Sequence, residues 1–115
     1  MTVVLLSSDL AVLSRVEGAA SRLGQRVRSA AGESLAVELC EGEDVNTLVV
    51  DLSTSSLDVA SLVTQLKSSD GSGTRMIAFG PHVHEQRLAA AREAGCDLVV
   101  SRGQFFSQLE TILKG

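Results

Sequence analysis

The run Thr47-Leu48-Val49-Val50 most restricts the fold, because every residue in it is β-branched or aliphatic. A strand with no polar alternation suits burial on both faces of a sheet, as in parallel α/β structures. The chain offers segments to cover both faces. Thr2 to Leu6 reads as a first strand, after which Ser8 or Asp9 caps a helix reaching about Leu23. Leu13, Val16, Ala20 and Leu23 form its inward stripe, Arg15, Glu17 and Arg22 lie off it, and Gly24 closes it. Arg26 to Ala30, with Val27 as its one large aliphatic residue, reads as an edge strand. Glu33 to Cys40 reads as a second helix with Leu35, Ala36 and Leu39 inward, and Glu41 to Asp44 as a solvated acidic turn into the central strand.

Beyond the polar loop Leu52 to Ser56, a third helix spans Asp58 to Ser68, burying Val59, Leu62, Val63 and Leu66. Ser69 to Gly73 reads as a flexible connection with no hydrophobic anchor. Met76 to Phe79 is the fourth strand, His84 or Glu85 to Ala94 the fourth helix, and Leu98 to Ser101 the fifth strand. One last helix carries Phe105, Phe106, Leu109, Ile112 and Leu113. Strand and helix thus alternate five times through short connections, which calls for an α/β, doubly wound parallel sheet in a single domain, residues 1–115.

Bulk composition narrows the function classes. A 44% hydrophobic, 21% charged chain of 115 residues is ordinary for one globular domain and too rich in core residues for disorder. A net charge of −4 gives no basic footprint for nucleic acid. No apolar stretch approaches the roughly 18 residues of a membrane span, and the chain enters a strand at once, so no signal peptide is expected. Cys40 and Cys96 make neither a C-x-x-C nor a zinc set and fit free thiols in a reducing cytoplasm.

Chemistry is sought at the carboxyl ends of the strands, where open α/β sheets bind ligands. Asp51 ends the central strand there, and Ser7-Ser8-Asp9 ends the first. His82 and His84 have no partner for a metal and read as a loop and a helix start. Ser7-Ser8 has the position of an anion site or a simple cap, and Arg15, Arg22, Arg26 and Arg28 read as a solvated face. Phe105 and Phe106 read as a core residue and an exposed neighbour that offers an anchor to a partner.

With these residues in place, the chain resembles the receiver domain of bacterial two-component response regulators over its whole length. The resemblance implies a flavodoxin-like (βα)5 fold with strand order 2-1-3-4-5 and assigns Asp51 as the phosphoacceptor candidate. Asp58 matches the second acid of the family's D-x-x-M-P-x-x-D-G loop, and Gly95-Cys96-Asp97 its Gly-Ala-Asp. The rest of the site departs from the pattern. Ser7 and Ser8 replace the acidic pair that helps hold Mg²⁺, with only Asp9 acidic one residue later. Gly80 replaces the Thr or Ser of the fourth strand, Val99 the aromatic switch, Arg102 the Lys, Gly103 the Pro after it, and Thr54-Ser55 the Met-Pro.

These losses fit a degenerate receiver, or pseudo-receiver. Mg²⁺ demands near-octahedral oxygen ligation that usually includes carboxylates, and neutral hydroxyls bring no charge to offset its dehydration. Asp51 is left as the one candidate Mg²⁺ ligand, and no cofactor is expected unless it is phosphorylated. The resemblance then implies a non-enzymatic module of signal transduction that binds a protein partner, such as a histidine kinase or effector domain. Val99 and the last helix supply a candidate homodimer face, with no direct nucleic-acid or membrane contact. The alternative is a phosphoaccepting response regulator using Asp51 in a phosphorelay. A second is a switch domain similar to the anti-sigma-factor antagonists, although Val59 stands where that family has its phosphorylated serine. An expected feature of the site is an ion pair between Arg102 and Asp51 across the gap left by Gly80.

Overall fold

A computed structural model describes residues 1–115. Its five strands are β1 (Thr2–Leu6), β2 (Arg26–Ala30), β3 (Val45–Asp51), β4 (Arg75–Gly80) and β5 (Leu98–Ser101). The helices are α1 (Leu10–Arg22), α2 (Glu33–Cys40), α3 (Val59–Lys67), α4 (Glu85–Ala94), α5 (Arg102–Ser107) and α6 (Leu109–Lys114). All strand pairs are parallel and the order is β2-β1-β3-β4-β5, the doubly wound arrangement expected. No helix is long and apolar enough to cross a membrane.

The unbroken apolar runs are explained by two cores. Val4, Leu6, Leu48, Val50 and Ala78 face α2, α3 and α4. The alternate residues Val3, Leu5, Val49, Ile77 and Phe79 face α1, α5 and α6. Register brings Leu6 opposite Val50, Asp51 opposite Phe79 and Gly80 opposite Ser101, so the strand ends line one edge. At the opposite edge the Thr2 hydroxyl donates to the Asp44 carboxylate, which holds that carboxyl below its usual range. β2 lies at the end of the sheet with Val27 half-buried, as an edge strand should.

Four local expectations need correction. In α1 the deeply buried residues are Val12, Val16, Ala19 and Ala20, while Leu13 and Leu23 sit half-buried on the flank. Small side chains let the helix lie close to the sheet, which pushes the bulkier leucines to the rim. In α2 the buried pair is Ala36 and Cys40, four residues apart; Leu39 is half-buried and Leu35 is 45% exposed. The C-terminal helix is interrupted once, at Gln108 (φ −122°), and forms α5 and α6. The Gln108 N–H still reaches the Gln104 carbonyl and its own carbonyl accepts from Ile112, so the stripe Phe105, Leu109, Ile112, Leu113 passes through the break and stays buried.

The connection after α3 is the fourth case. Gly71 is buried, and a Cβ on it would come within 2.7 Å of the Cys40 carbonyl oxygen. Ser69 ties the loop further, its hydroxyl accepting from the Gly71 N–H at 3.1 Å. Backbone contact, invisible to a hydrophobicity pattern, anchors this segment. Gly71→Ala should therefore cost about 1–3 kcal/mol in urea unfolding through overpacking. Gly73→Ala, with nothing within 4 Å of its added Cβ, should stay near wild type. Burial also pushes the Cys40 thiol from 9.0 up to about 11. A raised pKa favours the folded thiol, so this stability is complete below pH 9.0 and is lost as pH climbs toward 11. Urea midpoints across that window should fall less steeply in Cys40→Ala than in the parent.

Candidate functional site at the strand ends

Asp51 closes β3 with its side chain inside the protein, the residue being only 3% exposed. A buried carboxylate needs donors, and it has two. The Ser7 hydroxyl donates to Oδ2 at 2.7 Å and the Ser53 N–H to Oδ1 at 3.0 Å. Ser7 is itself held on both sides: its N–H donates to the Ala30 carbonyl, and its Oγ accepts the Asp9 N–H at 3.2 Å. Its short side chain, fixed where β1 ends, gives Asp51 a neutral hydrogen-bond donor.

Asp9, rather than Ser8, caps α1. Its Oδ1 accepts from the N–H groups of Ala11 and Val12 at 2.9 and 3.4 Å, the usual work of an N-cap carboxylate. Its Oδ2 lies 3.8 Å from an Arg102 guanidinium nitrogen. The expected Arg102–Asp51 pair is therefore absent; Arg102 is shared between Asp9 and the ring of Phe106, 5.2 Å from its centroid. Asp9 is exposed and keeps the guanidinium partly in water, whereas reaching Asp51 would bury it beside a carboxylate whose oxygens already have donors. Phe106 is half-buried, with Arg15 stacked at 4.1 Å, so it is not the exposed neighbour expected. It meets Phe79 and Phe105 edge-on, and those two stack at 4.2 Å.

Gly80 has a consequence the sequence alone did not show. Leu52 turns inward beside it, its Cβ 3.3 Å from where a Gly80 Cβ would stand, and Leu88 lies just beyond. Both leucines are buried, so the place beside the β4 end is apolar rather than hydroxyl-lined. Gly80, Leu52 and Leu88 carry separate periodicities, and only the tertiary packing joins them. Val99 is half-buried on β5 opposite Ala78.

The remaining matched residues have structural partners. Asp58 caps α3 by accepting the Ser61 N–H at 3.1 Å, while its own N–H donates to Glu33. Asp97 clasps β4: its carboxylate accepts the Met76 N–H at 2.7 Å and its N–H donates back to the Met76 carbonyl. Gly95 precedes it at φ +102°, a left-handed turn that suits glycine. Ser8, His82 and His84 are exposed, and no cluster of three or more His, Cys, Asp or Glu gathers anywhere in the fold.

The donor set at Asp51 does not fit Mg²⁺. Both oxygens of the one buried carboxylate already accept hydrogen bonds, Ser7 is neutral, and Asp9 is occupied by the α1 amides and Arg102.

No family model matches the chain, and no curated protein matches it in sequence. Solved structures do resemble it. The receiver domain of a sensor histidine kinase from Pseudomonas aeruginosa, with magnesium in its active-site cleft, aligns at TM-score 0.82 and 19% identity, over 98% of this chain and 93% of that one. A CheY-like protein (TadZ) of the same organism aligns at 0.77 and 22% identity, covering 99% and 97%. A protein from Chloroflexus aurantiacus, named as a candidate response regulator, aligns at 0.78 and 17% identity, covering 99% and 98%. The chain has the CheY-like fold of response-regulator receiver domains.

Ser7→Ala leaves a buried Asp51 carboxylate oxygen without its donor and should cost about 1–3 kcal/mol in urea unfolding. Arg102→Ala should cost about 0–1 kcal/mol, as an exposed pair does. A double-mutant cycle should show coupling between Ser7 and Asp51 and none between Arg102 and Asp51.

Proposed function

We propose that the protein is a degenerate receiver of signal transduction, acting in the cytoplasm as a non-enzymatic protein-interaction module without Mg²⁺-dependent phosphorylation. The observation that carries the reading is the Ser7 hydroxyl on Asp51, a neutral donor where phosphoaccepting receivers supply acid for a metal. Phosphoryl transfer is catalysed by positioned charge that offsets repulsion between nucleophile and phosphate. Here Arg102, the cation best placed to help, is turned toward Asp9, and Leu52 occupies the apolar place beside Gly80. The site is built to hold one arrangement, which suits constitutive binding of a partner such as a histidine kinase or an effector domain. The β5 edge, with Leu98, Val99 and Val100 half-exposed, is the face proposed for that partner or for a second copy.

The rival reading, phosphotransfer to Asp51, draws on the position of that carboxylate at the end of β3. Incubation with an acyl-phosphate donor and millimolar Mg²⁺, followed by intact-mass measurement, separates the two. The proposal predicts no phosphoryl adduct, in the native chain or in Asp51→Ala. An adduct formed by the native chain and lost in Asp51→Ala would overturn it.

A further inference from the structure

The two edges of the sheet are finished differently. β2 presents Arg26, Arg28 and Ser29 to water, so a second copy of that strand laid against it would set arginine beside arginine. β5 has none of that protection. Leu98, Val99 and Val100 are aliphatic and half-exposed, no Lys, Arg or Pro interrupts them, and the pairing with β4 runs without a bulge. The Asp97 N–H donates to the Met76 carbonyl, toward β4. Peptide groups alternate in direction along a strand, so those of Leu98 and Val100 point away from the sheet. Neither of their N–H groups donates to a loop or helix of the chain.

Charge selects what fits this edge. The aliphatic run is closed by Asp97 at its start and Arg102 at its end. One Asp97 oxygen accepts the Met76 N–H and the other is free, while Arg102 is held only by the 3.8 Å approach to Asp9 and by the Phe106 ring. A strand with an acid before it and a base after it is its own complement when two copies run antiparallel. We infer that β5 pairs antiparallel with β5 of a second copy, about a two-fold axis at Val99, and extends the sheet across both chains. Leu98 of each copy then lies opposite Val100 of the other, and their outward peptide groups exchange hydrogen bonds. Val99 packs on its counterpart, and each Asp97 stands beside the other copy's Ser101 and Arg102. Such an interface closes on itself and leaves no open edge on that side. A strand of 4 residues offers few backbone bonds, so the association is concentration-dependent. The inference rests on the reading of β5 as the interaction face and names its occupant.

Sedimentation equilibrium of the native chain over a concentration series tests it, with hydrogen exchange of the ¹⁵N-labelled protein at the same concentrations. A reversible dimer that loosens as ionic strength rises is expected. The amides of Leu98 and Val100 should gain protection as concentration rises, while that of Val99, already bonded to β4, keeps its rate. Val100→Pro removes one outward N–H and none of the bonds to β4, and should abolish the dimer. Arg102→Glu, at a half-exposed position, should weaken it by about fivefold or more, the factor an exposed ion pair supplies at its upper end. A monomer at every concentration, a dimer whose Leu98 and Val100 amides stay unprotected, or a dimer unchanged in Val100→Pro would each overturn the inference. None of these outcomes touches the degenerate-receiver reading, which the phosphoryl adduct decides.

Discussion

The edge of this sheet is governed by the need to satisfy a carboxylate removed from water. Asp51 is carried inside by β3, whose residues are drawn into both cores, and a buried carboxylate without donors would be among the costliest features a small domain could hold. Ser7 and the Ser53 amide meet that need with one hydrogen bond to each oxygen. The rest of the edge follows. Ser7 must stay where β1 ends, so its own N–H and Oγ are tied to Ala30 and Asp9. Asp9 is then placed to cap α1 and to draw Arg102 outward.

The same economy of position explains the apolar half of the site. With no side chain at Gly80, Leu52 can fold back toward β4, and its N–H continues the ladder by donating to the Phe79 carbonyl at 2.9 Å. What resembles a pocket in the sequence is in the fold a hydrogen-bonded carboxylate beside packed leucines. Cations and aromatic rings meet on the other face, where Phe106 lies against Arg15 and Arg102.

Much of the architecture was legible because burial on both faces leaves a direct mark. Leu48-Val49-Val50 has no polar alternation because Leu48 and Val50 enter one core and Val49 the other. The gathering of Ser7, Asp51 and Gly80 at one edge followed from strand ends in a parallel sheet. What escaped were contacts between segments whose local patterns are independent. The direction of Arg102 depended on a competition between Asp9 and Asp51 that spacing cannot decide. Leu35 was expected inside and lies outside because α2 is short and turns Ala36 and Cys40 to the sheet. Gly71 is held by a backbone contact with Cys40, which no hydrophobic pattern reports.

The central claim is that Ser7, by supplying a neutral donor where a metal site needs negative charge, sets Asp51 apart from divalent-cation chemistry. It is tested most directly by titrating Mg²⁺ into the ¹⁵N-labelled native chain and into Ser7→Asp, following the amides of Ser7, Asp51 and Ser53. The account predicts no saturable change in the native chain and site-localised, saturable shifts once the carboxylate is introduced at residue 7. Saturable shifts at these amides in the native chain at millimolar Mg²⁺ would contradict it.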